Sequence, residues 1–182
     1  MTYETLALQG KSGIPGMLAA SVRDKVGGLR KESVRNGFLD PGQVEHRMEF
    51  VGNIHGIEFI NDSRATTLNA TWFALESQYK PVIWIAGGSS QKPDYNSISA
   101  LVRQKVKAII CLGNHKAALL EVFGSMEKTI LFADTIGEAV EVAYYLAETG
   151  DHVLFSPGCA SFEMFENFED RGKKFRRAVN SL

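Results

Sequence analysis

The sequence predicts an α/β fold: a Rossmann-like, open and mostly parallel sheet flanked by helices, with a β-hairpin at its start. Three observations carry this. Four runs of strand length are apolar throughout, Pro81–Ala86, Ala108–Leu112, Thr129–Ala133 and Val153–Ser156. Stretches with helical periodicity separate them. Two short extended segments precede them. Continuously apolar strands alternating with helices are what a parallel sheet buried on both faces requires.

The elements follow in chain order. Residues 1–45 differ from the rest. Ile14–Val26 and Leu29–Phe38 carry loose helical periodicity, interrupted at Gly27-Gly28, and Asp40-Pro41-Gly42 reads as a turn or linker. The main unit is expected over 46–182. Met48–Val51 and Ile57–Ile60 flank Asn53-Ile54-His55-Gly56, a hairpin pattern. Helices are expected at about Thr67–Ser77, Ser97–Gln104, Lys116–Phe123 and Ile136–Glu148. The last of these is the clearest: Ile136, Ala139, Val140, Ala143, Tyr144 and Ala147 share one face, and Thr135 with Glu138 makes a capping box. A final helix is expected over Phe162–Leu182, with Phe165, Phe168, Phe175, Val179 and Leu182 as its apolar stripe and Arg171–Arg177 as a solvated basic face.

Composition narrows the function classes. The 182 residues suit roughly one domain of ~150 residues plus some extra. With 45% hydrophobic and 23% charged residues, the chain is neither disordered nor collagen-like. Lys+Arg 20 against Asp+Glu 21 gives a net charge of −1, so no basic field marks a nucleic-acid partner. No apolar run is long enough to span a membrane. Cys111 and Cys159 are too few for a disulfide framework and wrongly spaced for zinc, which suits a reducing cytoplasm. The first residues lack the pattern of a signal peptide and read as a chain cut into.

Ligands on open α/β sheets bind beyond the carboxyl ends of the strands. Four strand ends there carry small or polar residues: Asn61–Thr67, Gly87–Lys92, Gly113–His115 and Ser156–Ser161. Their glycines let a ligand approach the backbone, and hydroxyls before a helix either cap it or hold an anion. Asp62 or Ser63 as a plain helix cap, Gly87-Gly88 as a plain turn and His115 as a surface residue are the simpler readings. Gly10-Lys11-Ser12 has the end of a phosphate-loop motif, but Thr5 stands where its first glycine is needed and no strand leads in. No G-x-S-x-G nucleophile elbow occurs either. A free-standing Rossmann-like nucleotide-binding module is the alternative this pattern allows.

Four segments together resemble one family. They are His46-Arg47-Met48-Glu49-Phe50, Phe59–Thr66, Ile85–Gly88, and Leu154–Phe168 followed by Glu169-Asp170-Arg171-Gly172. This set is similar to the C-terminal domain of the Mur ligases, in their D-glutamate-adding branch. The resemblance covers 46–182, with 1–45 similar to the helical tail of the family's central ATPase domain. It implies a cytoplasmic enzyme of peptidoglycan synthesis that joins D-glutamate to UDP-N-acetylmuramoyl-L-alanine, using ATP and Mg2+. Such chemistry needs charge neutralisation and exclusion of water.

Residue by residue, the resemblance implies that Arg47 approaches ATP, that His46 lies beside the nucleotide and that Asp62 meets it at the ribose. Thr66 and Ser161 would hold D-glutamate, Ser161 at the start of the last helix. Phe162 would contribute backbone, and Phe168 an aromatic wall. Gln91 stands where the family carries a lysine; either Lys92 takes that contact after a one-residue shift, or the contact is lost. Arg64 keeps the charge of a common lysine. The family's H-N-x-x-N adenine pattern is replaced by Ser12-Gly13-Ile14-Pro15-Gly16. The phosphate loop and magnesium ligands of the family have no counterpart here, so no metal ligand is expected in this chain. The N-terminal and central domains are missing partners. On that basis the chain alone is expected to be a monomer that binds ATP at most loosely and is inactive.

Overall fold

In the computed structural model, the structure describes residues 44–88, 93–113, 116–162 and 164–182. The helical segments and linker expected before residue 44, the Ser12–Gly16 stretch, Gln91, Lys92 and His115 lie outside the described residues.

Six strands form one sheet: β1 (Glu49–Ile54), β2 (Ile57–Asn61), β3 (Val82–Gly87), β4 (Val106–Leu112), β5 (Thr129–Ala133) and β6 (His152–Phe155), in the order β1-β2-β6-β3-β4-β5. Only β1 and β2 pair antiparallel; the rest is parallel. Among the described residues the helices are α1 (Leu68–Glu76), α2 (Ser99–Lys105, entered through a 3-10 turn at Tyr95–Ile98), α3 (Lys116–Phe123), α4 (Ile136–Leu146) and α5 (Phe168–Val179).

Alternation along the strands divides the core. Ile83 and Ile85 of β3, with Phe59 and Phe155, face α4 and α5 and meet Ala139, Val140 and Phe175. Val82, Trp84 and Ala86 point the other way, to Leu75 of α1, Val102 of α2 and Phe123 of α3. The result is a three-layer sandwich whose central strands β3, β4 and β6 are buried on both faces and so read as near-continuous apolar runs, while the edge strands β1 and β5 are partly exposed. Phe175 stacks on Phe155 with ring centroids 4.9 Å apart and so fixes α5 against β6.

Three local expectations are corrected. The hairpin strands run further than the pattern suggested, leaving only His55-Gly56 as the turn, at φ 50° and 83°. Both residues lie in the left-handed region, as a two-residue hairpin loop demands, and Asn53 Oδ1 accepts from Gly56 N at 2.9 Å. The last helix starts at Phe168, not Phe162: Asn167 is its cap, with Oδ1 accepting from Asp170 N at 2.7 Å. Before it, Met164 lies against Gly113 and Phe165 against Gly88, covering the ends of β4 and β3. Arg171, expected on a solvated face, is wholly buried.

Chain order and strand order part company at β3. From β3 the chain steps outward to β4 and β5, then returns to place β6 on the other side of β3. Crevices form at such a reversal, outside the carboxyl ends of the strands. Gly87 N donates to Pro157 O at 3.0 Å and closes the β3 and β6 ends together.

Candidate functional site

A cleft of about 330 Å3 opens at these strand ends. Its lining comes from three segments: Thr66, Thr67, Leu68 and Asn69 after β2; Pro93, Asp94 and Ser97 before α2; Gly158 and Cys159 after β6. Thr66 is exposed there, while Thr67 beside it caps α1, its Oγ1 accepting from Ala70 N at 3.3 Å. The cap is therefore Thr67 rather than Asp62 or Ser63. Asp94 Oδ1 accepts from Asn96 N and so caps the 3-10 turn that forms the far wall. Asn69, Asp94 and Ser97 carry no motif in the sequence; only the fold brings them to Thr66.

The loop after β2 is tied to the loop after β6. Gly158 N donates to Ala65 O at 3.0 Å. Beneath, Arg171 of α5 donates from Nη2 to Ser63 O (2.7 Å), from Nε to Ser63 Oγ (3.1 Å), and from Nη1 to Cys159 O (3.1 Å) and Ala160 O (3.3 Å). Ser63 Oγ in turn donates to Phe168 O at 2.7 Å. Burial pulls Arg171 below its ordinary pKa, against the neighbouring negative groups that hold it up. Ser161, 3% exposed, follows this tied segment, and its carbonyl accepts from Phe165 N. It lies well ahead of α5, so the helix-start location expected for it is not what the structure shows. Phe162 projects outward at 80% exposure. The Phe168 ring is half-buried and lies under the Arg64 guanidinium, with Arg64 Cζ 5.7 Å from its centroid.

Arg47 is exposed between two left-handed residues, His46 (φ 63°) and Met48 (φ 47°). A non-glycine residue costs free energy in that region, so the turn needs outside support. Four hydrogen bonds supply it. His46 N donates to Glu49 Oε2 (2.9 Å), Arg47 N to Val44 O (3.1 Å), Met48 N to Asp62 Oδ1 (3.2 Å), and Arg64 N to His46 O (2.9 Å). His46 itself is 1% exposed. Asn61 Nδ2 lies 3.0 Å from its Nδ1 and donates to Glu49 Oε2 at 3.1 Å and to Gly172 O at 3.2 Å. The ring packs flat on Gly172 of α5, where no side chain would fit.

Asp62 is 5% exposed, and both carboxylate oxygens are engaged inside the protein. Oδ1 accepts from Met48 N, and Oδ2 accepts from Ser156 Oγ at 2.9 Å. Ser156 Oγ also lies 3.0 Å from Thr71 Oγ1 of α1. Burial pushes the Asp62 carboxyl up to about 7, opposed by these two hydrogen bonds and by the charges of Arg47 and Arg171. One carboxyl thus joins the Arg47 turn to Ser156 at the end of β6 and, through it, to Thr71 of α1. Lys92 and Gln91 lie outside the described residues, so the lysine alternative has no geometry here.

The arrangement presents exposed Arg47 and Arg64 to an anionic ligand near the loop after β2, while the cleft itself is lined by hydroxyls, backbone and the Asp94 side chain. No helix of the described residues is long and apolar enough to cross a membrane.

Comparison with known proteins bears on what such a site serves. The UDP-N-acetylmuramoylalanine–D-glutamate ligase of Christiangramia forsetii is 43% identical over all 182 residues, and that of Bacteroides fragilis is 42% identical over 183. The chain spans 41% of the length of each. Among solved structures, the MurF ligase of Thermotoga maritima, determined in complex with ADP, superposes with a TM-score of 0.53 at 13% identity. It covers 76% of this chain and 32% of its own, and supports the fold alone. The family model described as "Mur ligase, glutamate ligase domain" matches residues 46–159, and the chain therefore belongs to the Mur ligase family.

Proposed function

We propose that this chain is the amino-acid-binding portion of an ATP-dependent ligase that adds D-glutamate to UDP-N-acetylmuramoyl-L-alanine in cytoplasmic peptidoglycan synthesis. The observation that carries the reading is the identity, along the whole chain, with relatives named as D-glutamate ligases. In this reading residues 46–182 are the C-terminal domain and 1–45 the end of a central domain, with the N-terminal and central domains as its partners.

ATP, when bound, supplies the phosphoryl group that activates the L-alanine carboxylate for attack by the D-glutamate amine. This chain's residues fit one end of such a nucleotide: exposed Arg47, held by the His46 and Met48 turn, presents a guanidinium suited to phosphate oxygens. His46 and Asp62 act by shaping that turn, whatever further contact they make with the ribose. Thr66 offers a hydroxyl, and Ser161, Phe162 and Phe168 contribute side chain, backbone and ring to the amino-acid end. Lys92, or Gln91 in its place, would complete the carboxylate contacts. In this reading the magnesium ligands belong to the missing central domain; among the described residues of this chain no group of three His, Cys, Asp or Glu side chains is placed for a metal. Closure of the missing domains over the cleft would exclude water from the reacting groups.

A complementation assay tests this. The chain is mixed with a separately produced fragment carrying the N-terminal and central domains, and phosphate release is followed. The expected result is turnover that needs both fragments, UDP-N-acetylmuramoyl-L-alanine and D-glutamate, with none from this chain alone. Two folded fragments that form no active enzyme would contradict the proposal.

A further inference from the structure

We infer that Arg171 is a positioning residue for amino-acid recognition: its buried guanidinium clamps the loop bearing Thr66 to the segment leading into Ser161, so that both serve one ligand. The inference rests on the function proposed above, in which these loops hold D-glutamate.

Three observations point to it. First, the guanidinium is completely buried, and its four hydrogen bonds run to a hydroxyl and three backbone carbonyls, with the Cys159 thiol and the Asp62 carboxyl nearby. Among the described residues no carboxylate lies within ion-pair distance of it. Taking a cation out of water is costly, and here the return is four hydrogen bonds that join two loops. Second, its acceptors are divided between the two loops, with Ser63 on one side and Cys159 and Ala160 on the other. Arginine's rigid fork imposes a fixed separation on two segments, which a lysine cannot do. Third, Thr66 follows Ser63 by three residues, and Ser161 follows Ala160 directly. The clamp therefore adjoins both proposed contacts along the chain, and it holds the carbonyl of Cys159, a residue that lines the cleft. Ser63 Oγ extends the clamp to the first turn of α5 through Phe168 O.

The test uses Arg171→Met, Arg171→Lys and Ser63→Ala. Hydrogen exchange is measured on the 182-residue chain, and steady-state kinetics on the full-length ligase. In both Arg171 variants, amide exchange at Ala65, Thr66 and Gly158 should rise ~10-fold or more, while Ile85 and Leu154 keep their protection. The KM for D-glutamate should rise at least ~10-fold, with kcat and the KM for ATP within about twofold. Arg171→Lys should fail to restore KM, because charge without the fork does not hold two loops. Should Arg171→Met not fold, Ser63→Ala carries the test, with the same pattern at smaller amplitude. Unchanged loop exchange, a uniform rise across the sheet, or an equal rise in the KM for ATP would overturn the inference. A wild-type ligase without D-glutamate-dependent turnover would instead refute the proposed function, and loop exchange would then decide the clamp alone.

Discussion

Gly172 shows how closely α5 is wedged against the turn that carries Arg47. A Cβ there would drive into the His46 ring, which is itself held by Asn61. In an exposed helix interior, alanine would be preferred to glycine by up to ~1 kcal/mol. Here overpacking reverses the sign, and Gly172→Ala should destabilise by about 1–3 kcal/mol in urea unfolding. A stabilised variant would show that His46 is free to move. Asp62 makes a second prediction at this scale. Its carboxyl is held at about 7 when folded, against 3.8 as its ordinary value. Between those two values the folded state holds the extra proton, so this group's contribution is complete at low pH and is lost as pH rises through 7. Asp62→Asn keeps an acceptor for Met48 N and removes the ionisation. It should therefore gain on the wild type between pH 5 and pH 8, by roughly 1–4 kcal/mol. Parallel pH profiles would contradict this. That Asp62 sits at a strand end was legible in the sequence; its burial was not, because Met48 N and Ser156 Oγ reach it from distant segments.

Among elements, boundaries were legible where caps and apolar runs agree. Strand β5 and helix α3 fall on their expected residues, and the Thr135 cap accepts from Glu138 N at 3.1 Å as its spacing predicts. Glu138 reaches back to Asp134 N rather than to the cap residue itself. The last helix misled because Phe162, Phe165 and Phe168 repeat at a helical interval, whereas Phe165 covers the end of β3 and only Asn167 caps a helix. Arg171 misled by its charge. Its phase, four residues before Phe175 and eight before Val179, places it on the apolar stripe, and phase rather than residue type was the usable signal. Removing either cap, by Thr135→Ala or Asn167→Ala, should cost about 1 kcal/mol in chemical unfolding. Asn167→Ala should also loosen Phe168, whose carbonyl anchors Ser63. A neutral effect of Asn167→Ala would mean that the Arg171 hydrogen bonds and the Phe175 stack fix α5 without its cap.

For the whole molecule, the three-layer α/β class was legible because strands buried on both faces have to be apolar throughout. The insertion of β6 between β2 and β3 was not legible, since pairing between strands distant in sequence leaves no local mark. That insertion brings Gly158 and Cys159 to Thr66 and makes the cleft. Thr66 could be named from the sequence as a residue after a single strand; its meeting with Asp94, Gly158 and Cys159 required the strand order, and Ser161, Phe162 and Phe168 are not part of the cleft lining. The central claim is that this meeting point binds the amino acid in a D-glutamate ligase. It is tested most directly by the KM for D-glutamate in the full-length ligase carrying Thr66→Ala or Ser161→Ala. The account predicts a rise of at least ~10-fold, equivalent to ~1.4 kcal/mol of lost binding, with the KM for ATP nearly unchanged. Unaltered D-glutamate kinetics in both variants would contradict it.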